Sequence, residues 1–82
     1  MTDDATLQEL AAIIRRTFRQ PGLEIARETT AMDVDGWDSL SHTMLILQVE
    51  KSFGVRLPAD RVHELEDVGE LADLIVQARG GA

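Results

Sequence analysis

The 82-residue sequence contains no cysteine and no tyrosine, and it has only one tryptophan, two phenylalanines and two prolines. Without cysteine there is neither a disulfide framework nor a thiolate metal site, so stability has to come from packing. Aromatic residues make up 4% of the chain and hydrophobic residues 44%. These proportions predict a folded domain with an aliphatic core of Leu, Ile and Val.

Positive charge is also scarce, because eight Lys and Arg residues stand against fifteen Asp and Glu residues, for a formal net charge of −7. Such a chain repels phosphate backbones and anionic lipids, so we expect neither nucleic acid nor a membrane surface as a partner. No apolar run approaches the roughly 18 residues of a membrane-spanning helix, and the start of the chain is acidic where a signal peptide is basic. We therefore expect a cytoplasmic protein.

The length of the chain is typical of one domain with a small core. We assign residues 1–82 to a single domain, with its core at about residues 6–79 and a frayed tail at residues 80–82. We expect this domain to be a monomer.

The first helix is predicted to begin at a capping box, in which Thr6 and Glu9 each satisfy a backbone donor. Its inward residues recur at spacings of three and four: Leu7, Leu10, Ala11, Ile14 and Phe18. Its last turns contain three cations that suit the negative end of the helix dipole: Arg15, Arg16 and Arg19. The helix is predicted to end before Pro21.

Residues 20–38 show no helical period of useful length and predict a long packed loop. The loop contains four apolar side chains that need burial: Leu23, Ile25, Met32 and Val34. Loops of more than about 15 residues are uncommon in compact domains and are usually functional, so the length of this one favours a function in its neighbourhood.

The second helix is predicted from Ser39 to Phe53, with Asp38 as its N-cap and Gly54 as the residue that stops it. At about 100° per residue its apolar positions fall into two groups. The first group is the predicted core face: His42, Leu45, Ile46, Val49 and Phe53. The second group lies on a separate arc, which is either exposed or covered by the preceding loop: Leu40, Met44 and Leu47.

Pro58 fixes the entry to a short helix near residues 59–65, and Asp67 marks the start of the last helix. The inward residues of that helix are Val68, Leu71, Ala72, Ile75 and Ala78, with Leu74 alongside them. Together these elements predict an all-α fold, a small four-helix bundle with three main helices, one short helix and a long first loop.

The chain is organised around Asp38-Ser39-Leu40, because Ser39 falls on the first turn of the second helix, where its hydroxyl is open to another protein. One alternative is that Ser39 merely caps the helix. A hydrolase centre of Asp38, Ser39 and His42 is disfavoured, because no Gly-x-Ser-x-Gly elbow is present and His42 projects toward the core face. We expect His42 to pack at the edge of the core.

No metal site is predicted. Asp33 and Asp35 resemble the start of a calcium-binding loop, but the twelfth position of that loop holds Met44 instead of a bidentate glutamate.

The Asp38-Ser39-Leu40 motif resembles the attachment site of the acyl carrier proteins. The likeness covers about residues 6–79 and includes the helix exit Glu50–Val55 and the Leu57-Pro58 that follows. It implies that Ser39 carries a 4′-phosphopantetheine arm, added from coenzyme A by a phosphopantetheinyl transferase. The arm's thiol then carries an acyl or aminoacyl group as a thioester. The resemblance thus implies a carrier that presents cargo to acyl-loading and acyl-processing enzymes, and that is not itself an enzyme.

Two features distinguish this chain from the fatty-acid carriers of that family. Trp37 resembles the stand-alone or polyketide-type carriers, and Met44 stands where fatty-acid carriers have a recognition glutamate. We therefore expect a specialised biosynthetic pathway. The expected partner-docking residues are Asp38, Leu40, Met44 and Leu47. The rival hypothesis is a small helical protein-interaction domain with an unmodified Ser39.

Overall fold

The computed structural model describes residues 2–80, with side chains from Asp4 onward. Four α-helices follow one another along the chain: α1 (Thr2–Thr17), α2 (Ser39–Phe53), α3 (Ala59–Val62) and α4 (Val68–Ala78). Residues 2–80 contain no strand, and the predicted bundle of three main helices and one short helix is confirmed. Across these residues, no helix has both the length and the apolar character that a membrane crossing requires.

α1 begins earlier than the capping-box interpretation predicted. It starts at Thr2, and Thr6 lies inside it as a buried residue instead of at its N-cap. The physical reason is that no helix breaker precedes Thr6. The Asp4 carboxylate suits the positive end of the helix dipole, and Ala5 has the highest helix propensity of any residue type.

α1 ends in a left-handed turn at Arg19, whose φ is 56°. The Gln20 N–H donates to the Arg15 carbonyl over 2.9 Å. The Arg19 N–H donates to the Arg16 carbonyl over 3.3 Å, and the two bonds form a Schellman motif. Arg15 and Arg16 lie in the last turn as predicted, but Arg19 lies beyond the helix, because Thr17 is its last residue.

α1 packs against both α2 and α4, and the core lies among these three helices. The largest fully buried side chains are all aliphatic, as the composition predicted: Leu10, Ile13, Ile14, Leu45, Val49, Val68, Leu71 and Ile75. Ile13 was missing from the predicted inward residues, since it lies at the edge of the stripe that the other apolar residues of α1 define.

The loop between α1 and α2 contains a short 3-10 turn, Ala31–Asp33, which the sequence pattern did not predict. The N–H of Thr30 donates to Asp33 Oδ2 over 2.9 Å and caps this turn. Three of the four apolar side chains of the loop are wholly or half buried, but Met32 is 96% exposed. The expected burial of Met32 is wrong because the tight turn gives the inward position to Val34 and directs Met32 to solvent.

Two carbonyl groups of this loop accept the first N–H groups of α4, which have no partner within their own helix. Thr29 accepts from Val68 over 2.8 Å, and Arg27 accepts from Gly69 over 2.7 Å. The Arg27 guanidinium also binds both carboxylate oxygens of Asp73, over 3.0 and 2.9 Å. This strap, from Arg27 to Thr29, fixes the long loop against α4.

α3 covers Ala59–Val62 and is shorter than the predicted helix near residues 59–65. It ends because the chain tightens into a turn there, with the Glu64 N–H donating to the Arg61 carbonyl over 3.0 Å. Asp67 caps α4 as predicted.

The exit of α2 and the end of the chain are fixed by local contacts. Gly54 ends α2 with a φ of 67°, as predicted. Beyond it, Glu50 Oε2 accepts from the Leu57 N–H over 2.8 Å. Of the predicted frayed tail, Gly80 lies in a turn and donates its N–H to Gln77, and residues 81–82 lie outside the described residues.

Candidate functional site

The start of α2 is capped reciprocally by Asp38 and Ser41. Asp38 Oδ1 accepts from the Ser41 N–H over 2.9 Å, and the Ser41 Oγ accepts from the Asp38 N–H over 2.8 Å. The hydrogen of the Ser41 hydroxyl is shared between the Gly36 carbonyl, at 2.7 Å, and Asp38 Oδ1, at 3.0 Å. The sequence predicted Asp38 as the cap but missed Ser41, although a hydroxyl three residues after an N-cap is a recognisable signal.

These hydrogen bonds also determine the electrostatics of the cap. The Ser41 N–H, followed by the Ser41 hydroxyl, holds the pKa of Asp38 below its ordinary value of 3.8, because both stabilise the ionised carboxylate. Asp38 is therefore charged at neutral pH, at the end of the helix where the dipole favours a negative group.

Ser39 is the first residue of α2 and is exposed. Its carbonyl accepts from Thr43 Oγ1 over 3.1 Å, but its own hydroxyl has no hydrogen-bond partner among the described residues. The alternative that Ser39 merely caps the helix is therefore wrong, because Asp38 and Ser41 perform the capping. The Ser39 hydroxyl is left open to solvent.

His42 bridges the loop before α2 and the end of α3. Its Nδ1 accepts from the Trp37 indole N–H over 3.0 Å, and its Nε2 lies 2.7 Å from the Val62 carbonyl, to which it donates. The ring is half-buried, as expected for a histidine at the core edge. Because both nitrogens are engaged away from Ser39, His42 is not placed to act as a general base for it.

An aromatic row passes through this bridge. Phe18 at the end of α1 contacts Trp37 at 5.2 Å between ring centroids, Trp37 stacks on His42 at 6.0 Å, and His42 meets His63 at 6.2 Å. The row ties α1, the long loop, α2 and the end of α3 together just behind Ser39. It joins residues that are far apart in the sequence, so helical periodicity did not reveal it.

An open cavity of about 410 Å³ lies beside Ser39. α2 contributes Ser39, His42 and Thr43 to its wall, and the aromatic row contributes Trp37 and His63. The far side is formed by the loop and by residues near the start of α4, including Thr29, Glu66, Asp67 and Val68. The Ser39 hydroxyl thus stands at the edge of a space with both polar and apolar walls.

The second apolar arc of α2 is exposed. Leu40 is 72% exposed, Met44 54% and Leu47 58%. The alternative that the long loop covers this arc is therefore wrong. Opposite it, Leu45, Ile46 and Val49 are buried in the core as predicted.

Asp33, one of the two acids that resemble a calcium-binding loop, caps the 3-10 turn. Asp33 accepts from the Thr30 N–H and hydroxyl, over 2.9 and 3.2 Å. In the part of the chain that the structure describes, no cluster of three or more His, Cys, Asp or Glu side chains is arranged to hold a metal ion.

Comparison with known proteins identifies the family. Residues 6–75 match the family described as "Phosphopantetheine attachment site". The acyl carrier protein of Acidothermus cellulolyticus is 33% identical over 78 residues, which cover 95% of this chain and 93% of that protein. The acyl carrier protein of Kineococcus radiotolerans is 29% identical over 79 residues, covering 96% and 98%.

A solved structure agrees with these relatives. The solution structure of the holo acyl carrier protein from Geobacter metallireducens superposes with a TM-score of 0.85 at 37% identity, covering 93% of this chain and 87% of that one. In general, proteins of this kind work with phosphopantetheinyl transferases and acyl-processing enzymes. The chain therefore belongs to the acyl carrier proteins, a family of non-enzymatic carriers whose covalent cofactor is 4′-phosphopantetheine.

Proposed function

We propose that Ser39 is the residue to which the 4′-phosphopantetheine arm is attached. The observation that carries the proposal is the state of its hydroxyl, which is exposed and free of hydrogen bonds while Asp38 and Ser41 cap the helix on either side of it. A hydroxyl in this state can enter the active site of a modifying enzyme without the helix losing its cap.

The surroundings of Ser39 suit the arm. The arm begins with a negatively charged phosphodiester, and the N-terminus of a 15-residue helix favours negative charge. The cavity of about 410 Å³ next to Ser39 offers apolar contacts from Trp37 and Val68 and polar groups from Thr29 and Thr43. When bound, the group supplies a thiol that holds acyl cargo as a thioester.

The modification is a phosphoryl transfer from coenzyme A. The Ser39 oxygen forms a new bond to the phosphorus that bears pantetheine, the pyrophosphate bond of coenzyme A breaks, and 3′-phosphoadenosine 5′-phosphate leaves. The hydroxyl proton passes to a base of the transferase, because His42 has both ring nitrogens engaged elsewhere. Asp38 helps by holding the helix start in place.

The finer part of the proposal concerns the pathway. We infer a stand-alone or polyketide-type carrier of an acyl or aminoacyl group in a specialised biosynthetic pathway, working in the cytoplasm as a monomer. The support is the surface of α2, whose only acidic residue is Glu50. Glu50 is half-buried and accepts a hydrogen bond from the Leu57 N–H, so α2 presents apolar instead of acidic contacts to its partners.

The proposed docking surface consists of Asp38, Leu40, Met44 and Leu47. Asp38 is exposed at the cap, and the three apolar side chains follow along the outer face of α2. Exposed apolar groups next to a reactive hydroxyl are candidates for an interface, where a few buried side chains commonly supply most of the affinity. The partners in question are the phosphopantetheinyl transferase and the acyl-loading and acyl-processing enzymes.

The attachment proposal is tested by intact mass after incubation with coenzyme A, magnesium and a promiscuous phosphopantetheinyl transferase. The wild-type chain is expected to gain one phosphopantetheine group. Ser39→Ala is expected to gain none, because the accepting oxygen is gone. Ser52→Ala is the matched control, since Ser52 is an exposed serine at the other end of α2 and its loss leaves Ser39 intact.

An unchanged mass of the wild-type chain, with a transferase shown to modify another carrier in the same experiment, contradicts the proposal. It would favour the rival hypothesis of an interaction domain with an unmodified Ser39.

A further inference from the structure

The hydrogen bonds of His42 are compatible with one form of its ring. The Trp37 indole N–H donates and cannot accept, so Nδ1 has to present its lone pair. The Val62 carbonyl accepts and cannot donate, so Nε2 has to carry the hydrogen. The neutral ring with its proton on Nε2 satisfies both neighbours. A protonated ring carries a second hydrogen on Nδ1, which faces the indole N–H and removes that hydrogen bond.

We propose that proton uptake by His42 releases Trp37 and loosens the wall of the cavity beside Ser39. His42 is then a positioning residue whose charge controls how firmly the loop before α2 is held. The regulatory meaning of this device rests on the proposed function of Ser39, since it governs the space next to the attachment hydroxyl.

Trp37, the residue that proton uptake releases, lies next to the proposed attachment site. Trp37 immediately precedes the cap residue Asp38 and lies two positions before Ser39. Its ring is half-buried between Phe18 and His42 and forms part of the cavity wall. Once the indole N–H has lost its acceptor, the Trp37 side chain keeps its ring contacts and its packing on the core, and the backbone N–H still donates to the Val34 carbonyl over 3.3 Å.

Titratable side chains lie near His42 on the neighbouring elements. Asp38 at the start of α2, together with Glu66 and Asp67 before α4, lines the same cavity as His42. The ring of His63, at the end of α3, lies 6.2 Å from the ring of His42 between centroids. The uncharged Phe18, just beyond the end of α1, packs on Trp37. Histidine side chains change charge between about pH 5 and pH 8, which sets the range to examine.

The test uses the chain without any modification, so it is independent of whether Ser39 carries the arm. Because the sequence has one tryptophan, its indole N–H gives a single resonance in a ¹⁵N-correlated NMR spectrum. Exchange of this hydrogen with solvent is measured from about pH 8 to about pH 5 in the wild type and in His42→Gln. The substituted amide offers one acceptor and one donor group and does not titrate, so it imitates the neutral ring at every pH.

At about pH 8 the two proteins are expected to exchange at similar rates. At about pH 5 the wild type is expected to exchange about fivefold faster than His42→Gln, the factor that corresponds to one neutral hydrogen bond. The comparison at equal pH removes the intrinsic pH dependence of indole exchange. His63→Gln is the control, since His63 lines the same cavity without bonding to Trp37, and it is expected to behave as the wild type does.

Equal exchange of the wild type and His42→Gln at low pH overturns the proposal, as does a pH response that disappears in His63→Gln and persists in His42→Gln. A second measurement needs no variant. The ¹⁵N shifts of the His42 ring at high pH are expected to report a hydrogen on Nε2, and a hydrogen on Nδ1 also overturns the proposal.

Discussion

At the level of single residues, capping and an open hydroxyl are assigned to different residues at the start of α2. Asp38 and Ser41 satisfy the backbone groups that a helix start leaves without partners. Ser39, which lies between them, has no part in this, and its hydroxyl stays open. A reactive group at a helix terminus costs the fold little when separate residues perform the capping.

Arg19 is a residue whose backbone conformation is unfavourable for its side chain. It has a φ of 56° at the end of α1, a conformation that glycine adopts without steric cost. We expect Arg19→Gly to raise the free energy of unfolding by about 0.5–1 kcal/mol. Arg16→Gly is the matched control, because Arg16 is an exposed arginine inside the last helical turn, where glycine is expected to cost about 1 kcal/mol. Urea denaturation measures both, and a loss of stability in Arg19→Gly contradicts the prediction.

The sequence predicted the position of a side chain where helical periodicity determines it. It did not predict contacts that depend on tertiary packing between distant parts of the chain. Helical geometry places Leu45 on the core face and Met44 on a separate arc, and this separation is confirmed. The bond from His42 to the Val62 carbonyl joins residues 20 positions apart, and only tertiary packing brings them together. The expected burial of Met32 was wrong for the same reason, because a tight turn outside any helical period determines the direction of its side chain.

At the level of whole elements, the start of α2 depends on the charge of Asp38. The folded-state pKa of Asp38 is lowered by the N–H and hydroxyl of Ser41. Its charge therefore contributes stability above the ordinary value of 3.8, and this contribution is lost as the pH falls through the lower folded-state pKa. Asp38→Asn keeps an acceptor oxygen at the cap but does not titrate.

We therefore expect the wild type to be more stable than Asp38→Asn at about pH 5, and the difference to vanish well below the ordinary pKa of aspartate. Urea midpoints of the two proteins, measured at the same series of pH values, check this. A difference that stays constant down to the lowest pH contradicts it.

The strap from Arg27 to Thr29 requires close approach between the loop and α4. A Cβ added at Gly69 would lie 3.0 Å from the Arg27 Cβ and 3.1 Å from the Arg27 carbonyl oxygen, which is itself bonded to the Gly69 N–H. We expect Gly69→Ala to lower the free energy of unfolding by about 1–2 kcal/mol, because overpacking outweighs the gain in helix propensity. Gly22→Ala is the control, since a Cβ there meets nothing within 4 Å. Thermal denaturation of both variants and the wild type measures the change in stability. A Gly69→Ala variant that is more stable than the wild type contradicts the close packing.

The boundaries of the elements were less predictable than their existence. Gly54 and Asp67 marked helix ends correctly, because their backbone and side-chain chemistry act locally. The capping pattern at Thr6 gave the wrong start for α1. Such a pattern determines a helix start only where the preceding residues cannot continue the helix. Here Asp3, Asp4 and Ala5 can continue it.

At the level of the whole molecule, α2 serves two purposes on opposite faces. Its inner face fills the core against α1, and its outer face exposes Leu40, Met44 and Leu47 on a chain with a net charge of −7. Strong net charge helps to keep such a chain soluble while it exposes an apolar surface. We propose that these apolar side chains make the contact with partners.

The Met44 side chain allows folding and partner binding to be separated. Because it is 54% exposed on the outer face, Met44→Glu is expected to change the free energy of unfolding by less than about 0.5 kcal/mol. The same change places a carboxylate in the proposed docking surface, and we expect it to lower the kcat/KM of Ser39 modification by a phosphopantetheinyl transferase about fivefold or more. Gln8→Glu is the control, because it adds the same charge at an exposed position of α1. Urea denaturation and initial rates of modification are measured on all three proteins. If Met44→Glu and Gln8→Glu are both modified at the wild-type rate, the transferase does not use the outer face of α2. If Met44→Glu has a much lower free energy of unfolding than the wild type, Met44 belongs to the core and the docking assignment fails.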